Sequence, residues 1–588
     1  MKRTLRSQAG DLAATGGEAT AGSGTGAPSA APVAGRWLML AILLSAVFMQ
    51  LLDTTITMVA IPSIQQDLNA SFADVQLVAA LYSLAFACVL ITGGRLGDIY
   101  GRKKLFLIGM VGFTAASVLC GAAPTIGFLV VSRVAQGLFS GLMFPQVLSI
   151  IQVTFAGRER TKALSVYGAS VGLALVLGPV LGGWLIDLDI AGSDWRSIFY
   201  VNLPIGVLAL ALGAVRLRES AADDAARLDT VGTVLVSTGL FLLILPLIVG
   251  REQGWPAWTV AMLVAGPVVL ALFALQQRRL THGSGGSPLI RTTLFGDRAF
   301  SIGLVIVLVF FAGVPSFFFT LFLTLQTGFA YSPVAAGAVT LAFAVMIAVG
   351  SARSGVVVKR LGTLTLAVAT AVLTLGMGGV MVSVRWVGTD LRGWQLMPAL
   401  VIAGAGAGLF LAPCIGIILA GIKSRDAGSA SGVLSTAQQV GASVGIAIIG
   451  ILFASLLGSN AYHSVDKALP TLRADLAAAG LPRAQADSVT AGLRVCFKDK
   501  ASQKDLTATP ASCTRLQQAT ATSPAPAEVK AKVQAAVLDK AMPEARKEDF
   551  SRSFQQALFW QLGVFSLTFL LALALPRVKV ESTLPGGL

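Results

Sequence analysis

Charge is what this 588-residue sequence has least of: Asp, Glu, Lys and Arg make up 12% of it, against 55% hydrophobic residues and a mean hydropathy of +0.77. A water-soluble domain carries about twice that share of charge, so a bilayer is the expected solvent. Histidine occurs twice and cysteine five times, with no Cys-x-x-Cys or His-x-x-x-His spacing. That excludes a case for a structural metal or a redox motif, and no bound cofactor is expected. No Ser–His pair or His/Asp/Glu cluster falls within the apolar runs, so an intramembrane enzyme is not expected either. Acidic residues are scarcer than basic ones, 29 against 44, for a net charge of +15. A nucleic-acid partner would need that excess on one face, whereas here Lys and Arg recur in short tufts between apolar stretches, which is a signal of membrane topology. Residues 1–35, rich in Gly, Ala, Ser and Thr, have no apolar core of the kind a signal peptide needs and are expected to form a disordered cytoplasmic tail.

What is present is a series of long apolar runs. A helix needs about 20 apolar residues to cross the hydrocarbon layer, and about fourteen such runs are separated by charged or Gly/Pro breaks, from Trp37–Ala60 through Ala427–Leu457 to Ala557–Leu575. Of the 44 Lys and Arg, about 25 fall on the side holding both termini and about 4 in the short opposite loops. Both termini are therefore expected in the cytoplasm, with the chain a multi-pass protein of the cytoplasmic membrane. About 14 more lie in one long opposite loop, which translocates largely regardless of charge. A faint internal repeat, Gly94 and Gly101 echoed by Gly355 and Gly362, suggests two related halves.

Two strong charges stand inside the apolar runs, Asp53 in the first and Arg133 in the fourth. A charge at the bilayer centre costs about 2.5 to 3.5 kcal/mol on the lenient insertion scale, so each is expected to face a cavity or a partner. At about 1.5 Å of rise per residue both lie roughly 10 to 13 Å below the outer surface, deep enough to face each other as a proton-coupling pair. In the fifth run Gly168, Gly172, Gly178, Gly182 and Gly183 offer a small-residue face, and Pro179 removes a backbone donor and bends the helix. Between the second and third runs the stretch from Gly94 to Lys104 makes a tight basic turn, in which Asp98 can pair with a neighbouring Arg such as Arg102 or cap a helix, and so latch two halves. Cys496 and Cys513 are the only cysteines outside the apolar runs and lie in the loop assigned to the oxidising side, where a disulfide is expected. Residues 527–541 have helical spacing, so part of that loop is read either as a small folded cap or as a flexible linker.

These residues carry a family resemblance. The Gly94–Lys104 turn resembles the loop motif of the major facilitator superfamily, and Leu52-Asp53-Thr54-Thr55-Ile56 with Ala60-Ile61-Pro62 is similar to the first-helix signature of its fourteen-helix drug:proton antiporter family. Arg133-x-x-Gln136-Gly137 resembles the fourth-helix motif associated with proton coupling, and Gly172 to Gly183 the fifth-helix antiporter motif. Trp195-Arg196 with Phe199, Asn202, Pro204 and Gly206, the Leu325-Gln326 to Gly337 stretch, and Ala430-Ser431-Gly432 with Gln439 and Gly441 resemble later landmarks of that family.

The resemblance implies an all-α major facilitator fold of two six-helix bundles with two inserted helices. It divides the chain into a first bundle at 36–216, the insert at 217–280, five helices of the second bundle at 281–457, the outer loop or cap at 458–553, a last helix at 554–576 and a cytoplasmic tail at 577–588. It also implies proton-driven export of small amphipathic or cationic compounds, such as drugs, biocides, dyes or metabolites, by a monomer exchanging them for protons. An importer or facilitator on the same scaffold, or a membrane scaffold or receptor that transports nothing, is the alternative. Gln50 and Thr57, on the helical face of Asp53, together with Tyr82, Gln136, Phe317 and Phe318, are the candidate substrate contacts.

Overall fold

The computed structural model describes residues 35–576 apart from residue 71 and residues 222–227, 283–287, 423–425, 503–508 and 523–525. The tails expected at 1–35 and 577–588 therefore fall outside the described residues, Gly35 excepted. In a bilayer every backbone donor and acceptor must be satisfied within the chain, and the apolar runs accordingly become helices. The first bundle comprises α1 (Arg36–Asp67), α2 (Phe72–Tyr100), α3 (Arg102–Gly121), α4 (Ile126–Thr154), α5 (Gly157–Leu188) and a sixth span made of the short α6 (Ser197–Tyr200) leading into α7 (Asn202–Arg216). Two further helices follow, α8 (Thr230–Gln253) and α9 (Ala257–His282), then α10 (Arg298–Leu323), α11 (Pro333–Leu361), α12 (Leu364–Val387), α13 (Gly393–Leu419) and α14 (Ala427–Ala478). The chain ends with α15 (Arg483–Ser502), α16 (Ala511–Thr522), α17 (Ala527–Ala535) and α18 (Met542–Leu573).

Among the described residues thirteen helices are long and apolar enough to cross a membrane. The glycine-rich α5, 32 residues long, packs among them as a fourteenth. The neighbours of each helix repeat between the halves. In the first, α2 packs on α4, α3 on α4, α1 on α5, and α7 on α1 and α3; in the second, α11 packs on α13, α12 on α13, α10 on α14, and α18 on α10 and α12. Helices α2 and α11 are thus equivalent, and so are the glycines that end them: Gly101 at φ +104° and Gly362 at φ +57° turn the chain into α3 and α12 in a backbone region that a side chain disfavours. The halves meet along α5–α11 and α2–α14, which exchange places under the same repeat, and the inserted pair packs through α8 against both α2 and α14.

On the side away from the termini the structure differs from the sequence-based boundaries. The thirteenth span does not stop at Leu457: α14 runs on to Ala478, and α18 begins at Met542, well before the expected Ala557. Ala461, Val465, Ala468, Leu472 and Leu476, three or four apart, form one buried stripe on the extended α14, against which Leu493 and Phe497 of α15, Leu516 of α16, Val533 of α17 and Ala545 of α18 pack. Residues 458–553 thus fold as a helical outer domain with its own core rather than a linker, and Cys496 and Cys513 are joined there with Cα atoms 4.6 Å apart. Nearer the bundle, the end of α1 is fastened to the start of the sixth span: Asp67 Oδ2 accepts from Trp195 Nε1 at 3.0 Å and from Arg196 Nη1 at 2.7 Å. These two donors hold the Asp67 carboxyl below its usual 3.8.

Candidate functional site

Asp53 stands midway along α1, where helical hydrogen bonding has consumed the backbone and only the carboxylate needs a partner. The partners come from α4. Arg133 and Gln136, three residues apart, project from one face of that helix. Arg133 Nη1 donates to Asp53 Oδ2 and also to Gln136 Oε1, the latter at 2.7 Å, while Gln136 Nε2 donates to Asp53 Oδ1 at 2.9 Å. Arg133 Nε donates to the Val78 carbonyl of α2 at 3.3 Å. From the start of α7, Asn202 Nδ2 reaches Asp53 Oδ1 at 3.4 Å and Ser117 Oγ of α3 at 3.0 Å. The guanidinium lies 4.1 Å from the centre of the Tyr82 ring and 5.7 Å from that of Phe199, faces that favour a cation.

Asp53 and Arg133 are 0% and 1% exposed, so both charges have lost their water. Desolvation offsets much of the attraction in such a pair, and replacement by apolar residues often leaves a protein as stable or more so. Stability alone therefore gives little reason for the pair, and an intramembrane acid and base point first to function. All three side chains bonded to the carboxylate present N–H donors, an arrangement complementary to an ionised acid.

The glycines of α5 let other helices close in. A Cβ on Gly178 would fall 1.8 Å from Thr55 Oγ1, two residues from Asp53 on α1. On the opposite face, a Cβ on Gly172 would meet Ile347 at 2.6 Å, and one on Gly183 would meet Val334 at 2.7 Å, both on α11 of the second half. Gly182 is buried, and the side chain of Pro179 lies outside the described residues. The α5 helix thus joins the Asp53 helix to the second bundle by near backbone contact.

At the side bearing the termini, Asp98 at the end of α2 bonds Arg102 Nη2 at 2.7 Å and accepts from the backbone N–H groups of Gly428 and Ser429, at 3.2 and 3.3 Å, where α14 begins. The positive end of a helix dipole thus meets a carboxylate across the two halves. Gly94 lies against Gly428, whose carbonyl oxygen would sit 2.2 Å from any added Cβ. Gln152 of α4 adds a bond to the Leu419 carbonyl at 3.0 Å. This side is closed. Gly101 is bracketed by Glu219, whose carboxylate accepts from the backbone N–H groups of Lys103 and Lys104 at 3.0 and 3.1 Å.

Of the candidate contacts read from sequence, Gln136 is part of the charged cluster itself, Tyr82 lies under the guanidinium, and buried Gln50 is directed at the Tyr82 hydroxyl. Thr57 is buried with its hydroxyl donated to the Asp53 carbonyl at 2.7 Å. Phe317 and Phe318 are not brought to this cluster. Their ring partners, Phe554, Phe343 and Phe322, belong to the second half, and fully buried Phe317 serves its packing. The cluster also includes residues to which sequence reading gave no role: Asn202, Ser117 and Cys120, whose thiol lies 3.7 Å from Gln136 Oε1. Asn202 was visible as a motif position, but neither helical spacing nor charge ties it to Asp53.

An all-helical membrane protein of two repeated six-helix bundles, with an ion pair buried in one and glycine contacts between them, is built as a transporter. Residues 43–446 match the Major Facilitator Superfamily, and the chain belongs to that family. It is 40% identical over 556 residues to the probable actinorhodin transporter of Streptomyces coelicolor, covering 94% of each chain, a match long enough to take in most of the outer domain. With the tetracenomycin C resistance and export protein of Streptomyces glaucescens it shares 35% identity over 450 residues, 74% of this chain and 79% of that one. Among solved structures, the proton:xylose symporter XylE bound to 6-bromo-6-deoxy-D-glucose superposes with a TM-score of 0.53 at 16% identity, covering 72% of this chain and 90% of that one, a likeness of fold alone.

Proposed function

We propose that the chain is a proton-coupled antiporter that exports small amphipathic or cationic compounds from the cytoplasm, antibiotics among them, with both termini on the cytoplasmic side. The Lys/Arg distribution supports the orientation, and relatives named for antibiotic transport and export support the substrate class. The observation that carries the coupling is the Asp53–Arg133 pair, buried and bridged by Gln136 between α1 and α4.

In the conformation described, the cytoplasmic side is shut by the Asp98 contact with α14, and the surroundings of Asp53 suit its ionised form. A proton arriving from outside neutralises Asp53, releases Arg133 and dismisses a cationic substrate that had shared the carboxylate. With its charge cancelled, the first bundle can rock about the α5–α11 seam, open inward, give up the proton and take substrate. Each proton moved inward down 100 mV supplies about 2.3 kcal/mol, enough to bias export several-tenfold before any pH gradient is added.

The test is transport in proteoliposomes with an imposed pH gradient, using cationic dyes and aromatic antibiotics as substrates. Wild type should accumulate substrate against its gradient, and Asp53→Asn should allow at most downhill movement. Gradient-driven accumulation that survives in Asp53→Asn would remove this residue from the mechanism.

A further inference from the structure

Resting on the proton-coupling reading, a second question concerns what receives the hydrogen bond of Asp53 once it is protonated. A carboxylic acid must donate its new O–H, yet the Arg133, Gln136 and Asn202 side chains all direct N–H groups at the carboxylate. One of them must offer an acceptor instead.

Arg133 has none to offer. Gln136 cannot turn its amide over, because its Oε1 is held by Arg133 Nη1 at 2.7 Å and faces the Cys120 thiol. Reversal would set an NH2 group against a guanidinium. Asn202 differs in three ways. Its Nδ2 contact to Asp53 is long, 3.4 Å, so little is lost by breaking it. Its Oδ1 is buried and has no hydrogen-bond partner, so moving it leaves no acceptor deprived. Its other contact, Ser117 Oγ at 3.0 Å, is a hydroxyl, which can donate as readily as accept. That hydroxyl now donates to the Phe199 carbonyl at 2.9 Å, an acceptor that also takes the Val201 backbone N–H.

We propose that Asn202 is the positioning residue that receives the Asp53 proton: its side-chain amide reverses when Asp53 is protonated, and Ser117 rotates to follow it. After reversal, Asn202 Oδ1 occupies the place of Nδ2 and accepts from both the Asp53 O–H and the Ser117 O–H, using its two lone pairs. No bond to carbon changes; the proton stays on Asp53 and only its partner is exchanged. The other titratable groups facing this point are Arg133 of α4, Tyr82 of α2 and Cys120 of α3. Because Asn202 opens α7 directly after the α6 turn, the protonation state of α1 is registered at the start of the sixth span and, through Ser117, on α3.

The experiment is infrared difference spectroscopy of the purified full-length protein between high and low pH. The carbonyl band of protonated Asp53 is identified as the one missing in Asp53→Asn. In Asn202→Leu this band should move to higher frequency, because the acid loses its acceptor. Ser117→Ala, a smaller change, should move it part of the way, and Asn202→Gln, which keeps an amide, should return it toward the wild-type position. A band that stays at the wild-type frequency in Asn202→Leu overturns the proposal; should that variant not fold, an unmoved band in Ser117→Ala does so. If wild type itself shows no band that Asp53→Asn removes, the proton-coupling reading fails, and this inference with it.

Discussion

Replacing Gly178 by Ala should disable transport through a single methyl group. The added Cβ would lie 1.8 Å from Thr55 Oγ1 and 2.7 Å from Thr55 Cβ, where ordinary contacts begin beyond about 3.4 Å, so α1 and α5 must part by on the order of 1.5 Å. Thr55 cannot swing aside freely, because its hydroxyl is bonded to the carbonyls of Leu51 and Leu52 at 3.0 and 3.1 Å. Overpacking of this kind costs about 1 to 3 kcal/mol. Charged to the conformation described, that is roughly a 5- to 150-fold loss in its population relative to a state in which the helices are apart. Initial transport rates in proteoliposomes should fall by a comparable factor while the protein still inserts and binds detergent normally. The control is a double-mutant cycle with Thr55→Gly, which removes both atoms nearest the new methyl. The pair should recover much of the lost rate despite the helix cost of about 1 kcal/mol for the second glycine. A Gly178→Ala protein transporting within about twofold of wild type, or a cycle with no interaction energy, would refute the claim that close α1–α5 approach is needed.

Further outcomes are expected at other sites. Asp98→Asn weakens the contact with the start of α14 by about 1 kcal/mol, so a cysteine introduced at Thr436, buried on the latched side, should react faster with a thiol reagent; unchanged labelling would reject the latch. Opening the Cys496–Cys513 bridge, which closes 17 residues, should lower the stability of the outer domain by about 3 kcal/mol, seen as faster hydrogen exchange in α15 and α16, and equal exchange in reduced and oxidised protein would contradict it. Asp549 of α18 is 1% exposed with one long hydrogen bond, from Ser464 Oγ at 3.4 Å. Asp549→Asn should therefore stabilise the outer domain by about 1 kcal/mol or more, and a lower melting temperature would show that the carboxylate has a partner of greater value than this geometry suggests.

The parts of this molecule that were legible in its sequence are those that scarcity exposes. Charges are so few in the apolar runs that Asp53 and Arg133 stand out singly, and depth along two helices was enough to set them opposite each other. The spans were legible because lipid demands uninterrupted apolar length. The outer domain was harder. Ala461, Val465, Ala468, Leu472 and Leu476 keep a helical stripe, but His463, Asp466, Lys467 and Arg473 stand between them, so average hydropathy collapses just where α14 leaves the apolar layer and continues as an amphipathic helix. Asn202 and Ser117 were illegible as site residues for the opposite reason. Neutral polar side chains are common in these helices, and only the packing of α7 and α3 against α1 distinguishes this pair from the others. Phe317 and Phe318 show the same limit from the apolar side, since aromatic rings beside Pro315 serve a bundle core as readily as a binding surface.

The central claim is that proton and substrate compete for the carboxylate of Asp53. It is tested most directly by adding a saturating cationic substrate to purified protein in weakly buffered, slightly acidic detergent solution with a pH indicator. Proton release on substrate addition is the predicted result for wild type, with none for Asp53→Asn at equal protein concentration. Equal release from the two proteins would place the exchanged proton elsewhere and contradict the account.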